Sequence, residues 1–151
     1  MVARKKRTPV VVDTNVFVRS FKARRNTNPN RCVIRLWLVE KRLQLIVSNE
    51  LVQEYLGIFA DVLDMDEEAL TAWQQRFVAD SRSTLANLGR RYVESRDPDD
   101  NLLVATACAG RADYLVTNDR DLLELPEPFQ RTLPFAIVTP QAFLAALEPS
   151  S

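Results

Sequence analysis

The sequence predicts a three-layer α/β/α domain built on a mostly parallel sheet of roughly five strands. Short β-branched runs recur along the 151 residues, and stretches with apolar residues at helical spacing separate them. This alternation is typical of units in which crossover helices join parallel strands. The length is that of one typical domain, so we expect a single domain over residues 1–151, with a flexible basic tail at 1–8 and a short tail at 148–151.

The first half of the chain alternates predicted strands with predicted helices. The strands cover residues 10–12 and 43–47, and the helices cover residues 15–21, 31–41 and 49–63. Asp13 follows the first strand, whose three valines indicate burial on both faces, as in parallel sheets. Ser48 is the expected N-cap of the third helix, which carries Glu54 beside its apolar face.

The second half continues the alternation. Its predicted elements are helix-forming residues 66–88, a short edge strand at 90–95, a helix that residues 97–100 open and whose residues 102–109 are apolar all round, a strand at 114–116, a helical turn at 121–125 stopped by Pro126 and Pro128, a strand at 135–138 and a helix from Pro140. Asp100 is expected in the first turn of the helix opened by residues 97–100, and Asp119 follows the strand at 114–116.

The composition excludes several kinds of active site. The chain contains no histidine, which removes serine–histidine–aspartate triads, cysteine–histidine dyads and histidine-ligated zinc. Acid–base or metal chemistry must therefore rest on carboxylates. The net charge is zero, so any contact with nucleic acid must be local. The candidates for phosphate contacts are the basic residues before the first strand and around a polar loop: Arg4, Lys5, Lys6, Arg7, Arg24, Arg25 and Arg31.

The cellular location is predicted from composition and from the N-terminus. No run of about 18 apolar residues could span a bilayer, and the apolar stretch after the basic start is too short for a signal sequence. Cys32 and Cys108 lie in apolar helical patterns without disulfide or zinc spacing, so we expect buried free thiols. These features predict a cytoplasmic protein that does not enter a membrane.

Four carboxylates are positioned to converge. In parallel α/β sheets ligands bind beyond the carboxyl ends of the strands, where Asp13 and Asp119 both fall. Asp100 would be favoured as an anion by a helix N-terminus, and Glu54 projects from a helix that follows a strand. Mg²⁺ or Mn²⁺ would offset the repulsion among such acids, and two cations would suffice to hydrolyse a phosphodiester without histidine. Taken singly, each acid could also be a helix cap or a solvated surface residue.

Three segments resemble the PIN-domain nucleases in order and spacing: VVDTNVFV, SNELVQEYL and DPDDNLLVATACAGRADYLVTNDRDLL. The resemblance covers nearly the whole chain and is strongest to the VapC-like toxin components of bacterial toxin–antitoxin pairs. It implies a PIN-like fold, a Mg²⁺ or Mn²⁺ cofactor, an RNA substrate, a small antitoxin partner and a homodimer. It also implies a set of site residues: Asp13, Glu54, Asp100 and Asp119 as catalytic, metal-binding acids, with Thr14, Asn15, Thr117 and Asp121 supporting them.

Some assignments stay open on the sequence alone. Glu50 lies one helical turn before Glu54 and would share its face, so either could be the second acid. Asp97 and Asp99 belong to the same acidic run as Asp100, which the following Ala-Thr-Ala motif favours. The function also has alternatives, namely a catalytically weak PIN-like domain that binds RNA or acts as a scaffold, and a structure-specific DNA nuclease.

Overall fold

The computed structural model describes residues 6–89 and 101–147, and in it five strands form one sheet. The strands are β1 (Thr8–Val12), β2 (Leu43–Val47), β3 (Ser83–Leu85), β4 (Tyr114–Val116) and β5 (Ala136–Val138). They pair in parallel in the order β3-β2-β1-β4-β5. The flanking helices are α1 (Thr14–Lys22), α2 (Pro29–Leu38), α3 (Asn49–Leu63), α4 (Glu67–Val78), α5 (Leu102–Ala109), α6 (Arg120–Leu123), α7 (Glu127–Arg131) and α8 (Pro140–Leu147). The predicted α/β class with a parallel sheet is confirmed.

The chain order of the strands reverses beside β1. From β1 the chain builds outward through β2 to β3, then returns to the other side of β1 to form β4 and β5. Val12 is in register with Val116, so β1 and β4 end level with each other. The backbone N–H of Asp13 donates to Val116 O at 2.9 Å, which continues the pairing one residue past β1. The residues that follow β1 and β4 therefore leave the sheet side by side, at the point where open α/β sheets form their ligand crevice.

A cluster of buried aromatic rings joins the helices on one side of the sheet. The ring of Phe17 in α1 meets five others edge-on at centroid distances of 5.0 to 6.3 Å: Trp37, Tyr55, Phe59, Trp73 and Phe77. Edge-to-face pairs contribute about 0.5–1.5 kcal/mol each beyond the area that they bury. The cluster fixes α1 and α3 relative to each other, and these two helices carry Asn15 and Glu54.

The segment predicted as a flexible N-terminal tail, residues 1–8, extends too far into the chain. Thr8 is the first residue of β1, and its backbone N–H donates to Arg42 O at 3.0 Å. The guanidinium of Arg7 donates to Gln44 Oε1 at 3.1 Å and to Ser81 O at 3.0 Å. Hydrogen bonding to β2 and to the loop before β3 thus extends the ordered fold into the segment predicted as a tail.

The predicted helix over residues 66–88 was wrong in its second half. The helix ends at Val78, and β3 follows within the same segment. A turn between them is held by Arg82, whose guanidinium pairs with Asp80 at 2.5 Å and donates to Leu38 O at 2.6 Å. Trp37 Nε1 in turn donates to Arg82 O at 3.0 Å. The contacts of Arg82 with Leu38 and Trp37 come from α2 and are distant in sequence, so helix propensity within the segment could not reveal them. The edge strand predicted at 90–95 lies outside the described residues.

Other elements agree with the prediction apart from their ends. The helix predicted at 31–41 begins and ends earlier, because Asn28 caps α2 and Pro29 occupies its first turn. Pro128 does not stop a helix but lies in the first turn of α7. Backbone N–H groups in a first turn have no acceptor within the helix, so proline, which lacks this N–H, is tolerated there. Ser48 caps α3 as predicted, accepting the Leu51 N–H at 3.2 Å.

Both cysteines are free, but the prediction that they are buried was wrong. Cys32 is partly exposed, and Cys108 is exposed near the end of α5. Burial of part of its surface still raises the pKa of the Cys108 thiol. Among residues 6–89 and 101–147, none of the helices combines the length and the apolar character needed to cross a membrane.

Candidate active site

Asp13 provides the central carboxylate of the site. It is the N-cap residue of α1 at the end of β1, and only 9% of its surface is exposed. Thr117 Oγ1 donates to Asp13 Oδ2 at 2.6 Å, and Asn15 Nδ2 donates to the same oxygen at 3.2 Å. Among the described side chains, none donates to the second oxygen, Oδ1. One oxygen is therefore held by the protein while the other is free of side-chain partners.

Thr117 connects Asp13 with Asp119. Its hydroxyl donates to Asp13 and accepts the backbone N–H of Asp119 at 2.9 Å. Asp119 caps α6 through a 2.9 Å hydrogen bond from the Asp121 N–H to its Oδ1. Burial raises the pKa of Asp13 and the nearby charge of Asp119 raises it further, although hydrogen bonds from the Thr117 hydroxyl and from the backbones of Asn15 and Thr14 lower it in part. The carboxylate of Asp13 is thus only partly compensated in its charged form.

Glu54 is brought to the site by α3. Thr14 Oγ1 donates to Glu54 Oε2 at 3.2 Å, which joins the first residue of α1 to this carboxylate. The next residue, Tyr55, is fully buried, and its hydroxyl donates to the carbonyl of Val12 at the end of β1. Burial raises the pKa of Tyr55 well above 10, and the charges of Asp13 and Glu54 add to that shift, so the hydroxyl keeps its proton.

Glu50, the alternative second acid, lies elsewhere on α3. It is exposed in the first turn of the helix, and within the described residues no hydrogen bond links its side chain to Asp13 or Thr14. Glu54, in contrast, lines the same cleft as Asp13. The geometry therefore favours Glu54 over Glu50.

An open cleft of about 390 Å³ runs from the acids along α1 and α3. Besides Asp13, Glu54 and their neighbours Thr14 and Asn15, it is lined by Val18, Arg19, Ile58 and Val62. Arg19 is exposed, and in the described part of the chain it forms no salt bridge. Sequence reasoning missed Arg19, although its position one turn after Asn15 on α1 could have indicated that it faces the site.

The remaining predicted acids either lie outside the described residues or contact the site only through the backbone. Asp100, Asp97 and Asp99 lie outside the described residues. Asn101, which follows them, caps α5 by accepting the Leu103 N–H at 2.8 Å, so the helix begins later than predicted. Asp121 is exposed, and its described link to the site is the backbone bond to Asp119.

The described acids alone do not gather into a compact metal-binding cluster. Within residues 6–89 and 101–147, no three Asp, Glu, Cys or His side chains lie close enough together to hold a metal ion. Mg²⁺ nevertheless needs only one or two protein carboxylates, because water and substrate phosphate fill its other positions. A buried carboxylate with a raised pKa and one oxygen without a side-chain donor fits such a cation. The donors present are therefore compatible with a hard divalent metal.

Two asparagines at the site were also missed. Asn118, between Thr117 and Asp119, donates through its backbone N–H and its Nδ2 to Asn15 Oδ1 at 3.4 and 3.2 Å. The same Nδ2 donates to Asn30 Oδ1 at 2.8 Å. The position of Asn118 between two predicted site residues was a signal for it. Nothing in the local sequence singled out Asn30.

Fold and site together define an open parallel α/β domain with carboxylates at its switch point. A family model described as PIN domain matches residues 9–121, about three-quarters of the chain, and the match includes all four predicted acids. The chain belongs to the PIN-domain family. PIN domains are in general metal-dependent nucleases. A comparison with curated proteins gave no match.

The buried charge of Asp13 predicts the effect of removing it. In Asp13→Asn one amide oxygen can still accept from Thr117 and Asn15, because both donors reach the same oxygen. Without metal at neutral pH, we expect the variant to be at least as stable as the wild type, by urea unfolding in EDTA. Because folding raises the pKa of Asp13, ionisation of this carboxyl lowers the free energy of unfolding of the wild type as pH rises through the folded pKa. The difference in stability between Asp13→Asn and the wild type should therefore vanish below the unfolded pKa of about 4.

Asp61→Asn, at an exposed position on α3, is the matched control for loss of one negative charge. Its effect should show a smaller dependence on pH than that of Asp13→Asn. A marked loss of stability in Asp13→Asn at pH 7 would contradict the view that the buried charge is incompletely compensated.

The hydroxyl of Tyr55 predicts a second effect. Tyr55→Phe removes the bond that joins α3 to the end of β1, and we expect a loss of about 1–3 kcal/mol in the free energy of unfolding. Tyr114→Phe is the control, since the hydroxyl of Tyr114 makes no hydrogen bond within the described residues, and its effect should stay within about 0.5 kcal/mol. Equal effects of the two variants in urea unfolding would show that the Tyr55 bond contributes nothing specific.

Proposed function

We propose that this protein is a Mg²⁺- or Mn²⁺-dependent endoribonuclease whose metal-binding, catalytic acids are Asp13, Glu54, Asp100 and Asp119. The observation that carries the proposal is the carboxylate of Asp13, which is buried at the switch point of a PIN-domain sheet and whose two side-chain donors share one oxygen. Glu54 and Asp119 support it, because separate hydrogen bonds tie each of them to a residue that adjoins or contacts Asp13. Asp100 enters through the resemblance of its motif and through the family match.

The cation would be held by carboxylate oxygens from this set, with the free oxygen of Asp13 as its central ligand. When bound, a divalent metal lowers the pKa of a coordinated water and offsets the negative charge of the scissile phosphate. The absence of histidine from the chain fits a site in which no imidazole takes part. Mg²⁺ and Mn²⁺ are the ions proposed because both prefer oxygen ligands.

The side chains of the protein would orient the acids and receive the substrate. Thr117 and Asn15 hold Asp13 Oδ2, and Thr14 holds one oxygen of Glu54. Arg19 lies in the same cleft without a salt bridge in the described part of the chain, so its guanidinium is available to a backbone phosphate of the substrate. Thr14, Asn15 and Thr117 are therefore proposed as supporting residues. The exposed side chain of Asp121 contributes least, through the fold of α6.

The first test measures cleavage of a labelled mixed RNA pool by the purified protein with Mn²⁺, Mg²⁺ or EDTA, beside a DNA pool of the same sequences. We expect RNA cleavage that EDTA abolishes. Asp13→Asn, Glu54→Gln and Asp100→Asn should each lower the rate more than the roughly 10- to 100-fold typical of residues behind a metal ligand. Glu50→Gln is the matched control, on the same helix and with the same change, and should retain the wild-type rate.

Other outcomes of that test would contradict specific parts of the proposal. Cleavage of DNA at a similar rate would favour a DNA nuclease, since these acids alone do not distinguish the two substrates. Loss of activity in Glu50→Gln instead of Glu54→Gln would reverse the assignment of the second acid. No cleavage, with no rise in melting temperature on addition of Mn²⁺, would contradict the enzyme and favour an RNA-binding scaffold.

We further propose that the protein is the toxin of a toxin–antitoxin pair, acting in the cytoplasm as a homodimer and inhibited by a small antitoxin. The support is the resemblance of its three motifs to VapC-like toxins. Induced expression should then arrest growth, and Asp13→Asn should not. Co-expression of the small protein encoded beside it should restore growth, and sedimentation should give twice the mass of the chain. Unimpaired growth at a level of expression that gives active nuclease would contradict the toxin.

A further inference from the structure

Three asparagine side chains connect Asp13 with the first turn of α2. Asn15 Nδ2 donates to Asp13 Oδ2 at 3.2 Å, while Asn15 Oδ1 accepts from Asn118 Nδ2, also at 3.2 Å. Asn118 Nδ2 donates in addition to Asn30 Oδ1 at 2.8 Å. We call Asn15, Asn118 and Asn30 the amide relay. It links the residues after β1, the residues after β4 and the start of α2.

The partners at one end of the relay fix the orientation of every amide in it. Asn28 Oδ1, the cap of α2, accepts the backbone N–H of Asn30 at 2.9 Å and its Nδ2 at 3.1 Å. Asn30 therefore turns its oxygen towards Asn118. The NH₂ group of Asn118 has one hydrogen for Asn30 and one for Asn15. Asn15 in turn presents its oxygen to Asn118 and its nitrogen to Asp13.

The orientation matters because an amide can occupy the same space in two opposite ways. A reversed Asn15 would place its oxygen against the carboxylate of Asp13, which would repel it. Asn30 is only 8% exposed, so water has little access to replace the contacts that set the orientation. Together with the backbone N–H of Asn118, which donates to Asn15 Oδ1 at 3.4 Å, the relay thus favours Asn15 as a donor to Asp13.

We propose that Asn118 and Asn30 are positioning residues for the cation site. By holding Asn15 as a donor, they keep Asp13 Oδ2 occupied and leave Oδ1 without a donor from the described side chains, so that it would be available to a cation. Partners behind a metal ligand commonly act in this way, and their loss costs about 10- to 100-fold in affinity or activity. The inference rests on the proposed function, because it concerns the cation site of that function.

The test compares two substitutions at Asn30. Asn30→Leu is close to asparagine in size but removes the oxygen that accepts from Asn118. Asn30→Asp is the matched control at the same position, because it keeps that oxygen and loses only the donor to Asn28. Asn118→Ala is a third variant that removes the side-chain donor at a less buried position, and it carries the test if Asn30→Leu does not fold.

Two measurements are made on each variant: the NMR resonances of the Asn15 side-chain amide in metal-free protein, and the dissociation constant for Mn²⁺ by calorimetry. We expect Asn30→Leu and Asn118→Ala to shift the Asn15 amide resonances and to weaken Mn²⁺ binding about 10- to 100-fold. Asn30→Asp should do neither to a comparable extent. RNA cleavage at saturating Mn²⁺ should recover more in these variants than in Asp13→Asn.

A purely structural role for the relay predicts a different pattern. Melting temperatures would fall in Asn30→Leu and Asn118→Ala while Mn²⁺ affinity stayed at the wild-type value, and that result would overturn the inference. If wild-type protein cleaves RNA and the variants bind Mn²⁺ normally, the relay fails and the proposed enzyme stands. If relay-dependent Mn²⁺ binding is found but RNA is not cleaved, the enzyme fails and the relay stands. Wild-type protein that does not bind Mn²⁺ would overturn both.

Discussion

The burial of the Asp13 carboxylate is the constraint on which the site depends. A charged group with 9% of its surface exposed is costly unless donors or opposite charges compensate it. The protein supplies two donors, Thr117 and Asn15, from the ends of two different elements, and both reach the same oxygen. The pKa of Asp13 nevertheless remains raised, so compensation is incomplete. A buried, incompletely compensated carboxylate is stabilised by binding a proton or a cation.

The topology of the sheet places Thr117 beside Asp13. Because β1 and β4 are neighbours in register, Thr117 follows Val116 at the level where Asp13 follows Val12. The fully buried Tyr55 then fixes α3 to the end of β1, and Glu54, one residue earlier, reaches the same edge. The aromatic cluster around Phe17 holds α1 and α3 in the places that these bonds require. The packing of these rings thus helps to position Asp13 and Glu54.

Much of this arrangement is predictable from sequence, for a physical reason. A fully buried parallel strand must be almost wholly apolar, so the valines before Asp13 and the residues before Thr117 identify their own strands, and topology then makes their ends neighbours. The strand β3 was missed because only three residues form it and two of those are exposed. Contacts of Arg82 with α2, remote in sequence, set where it begins. Local pattern carries no record of such contacts.

The amide relay escaped prediction for the same reason. Asn118 stands beside recognisable residues, but Asn30 lies 88 positions away and is joined to it only by the fold. Neither is distinguished by residue type, since asparagine at a helix start or after a strand is ordinary. Hydrogen bonds between side chains from different elements depend on the final approach of those elements, so they become visible only in three dimensions.

The choice of donors around Asp13 is itself consistent with a cation site. An arginine or lysine at the position of Thr117 or Asn15 would pair with Asp13, lower its pKa and neutralise the charge that attracts a metal. A hydroxyl and an amide hold the carboxylate in one orientation while leaving its charge in place. Arg19, the basic residue that lines this cleft, is exposed and forms no salt bridge in the described part of the chain. Neutral donors thus fix the acid, and the positive charge of Arg19 forms no ion pair with it.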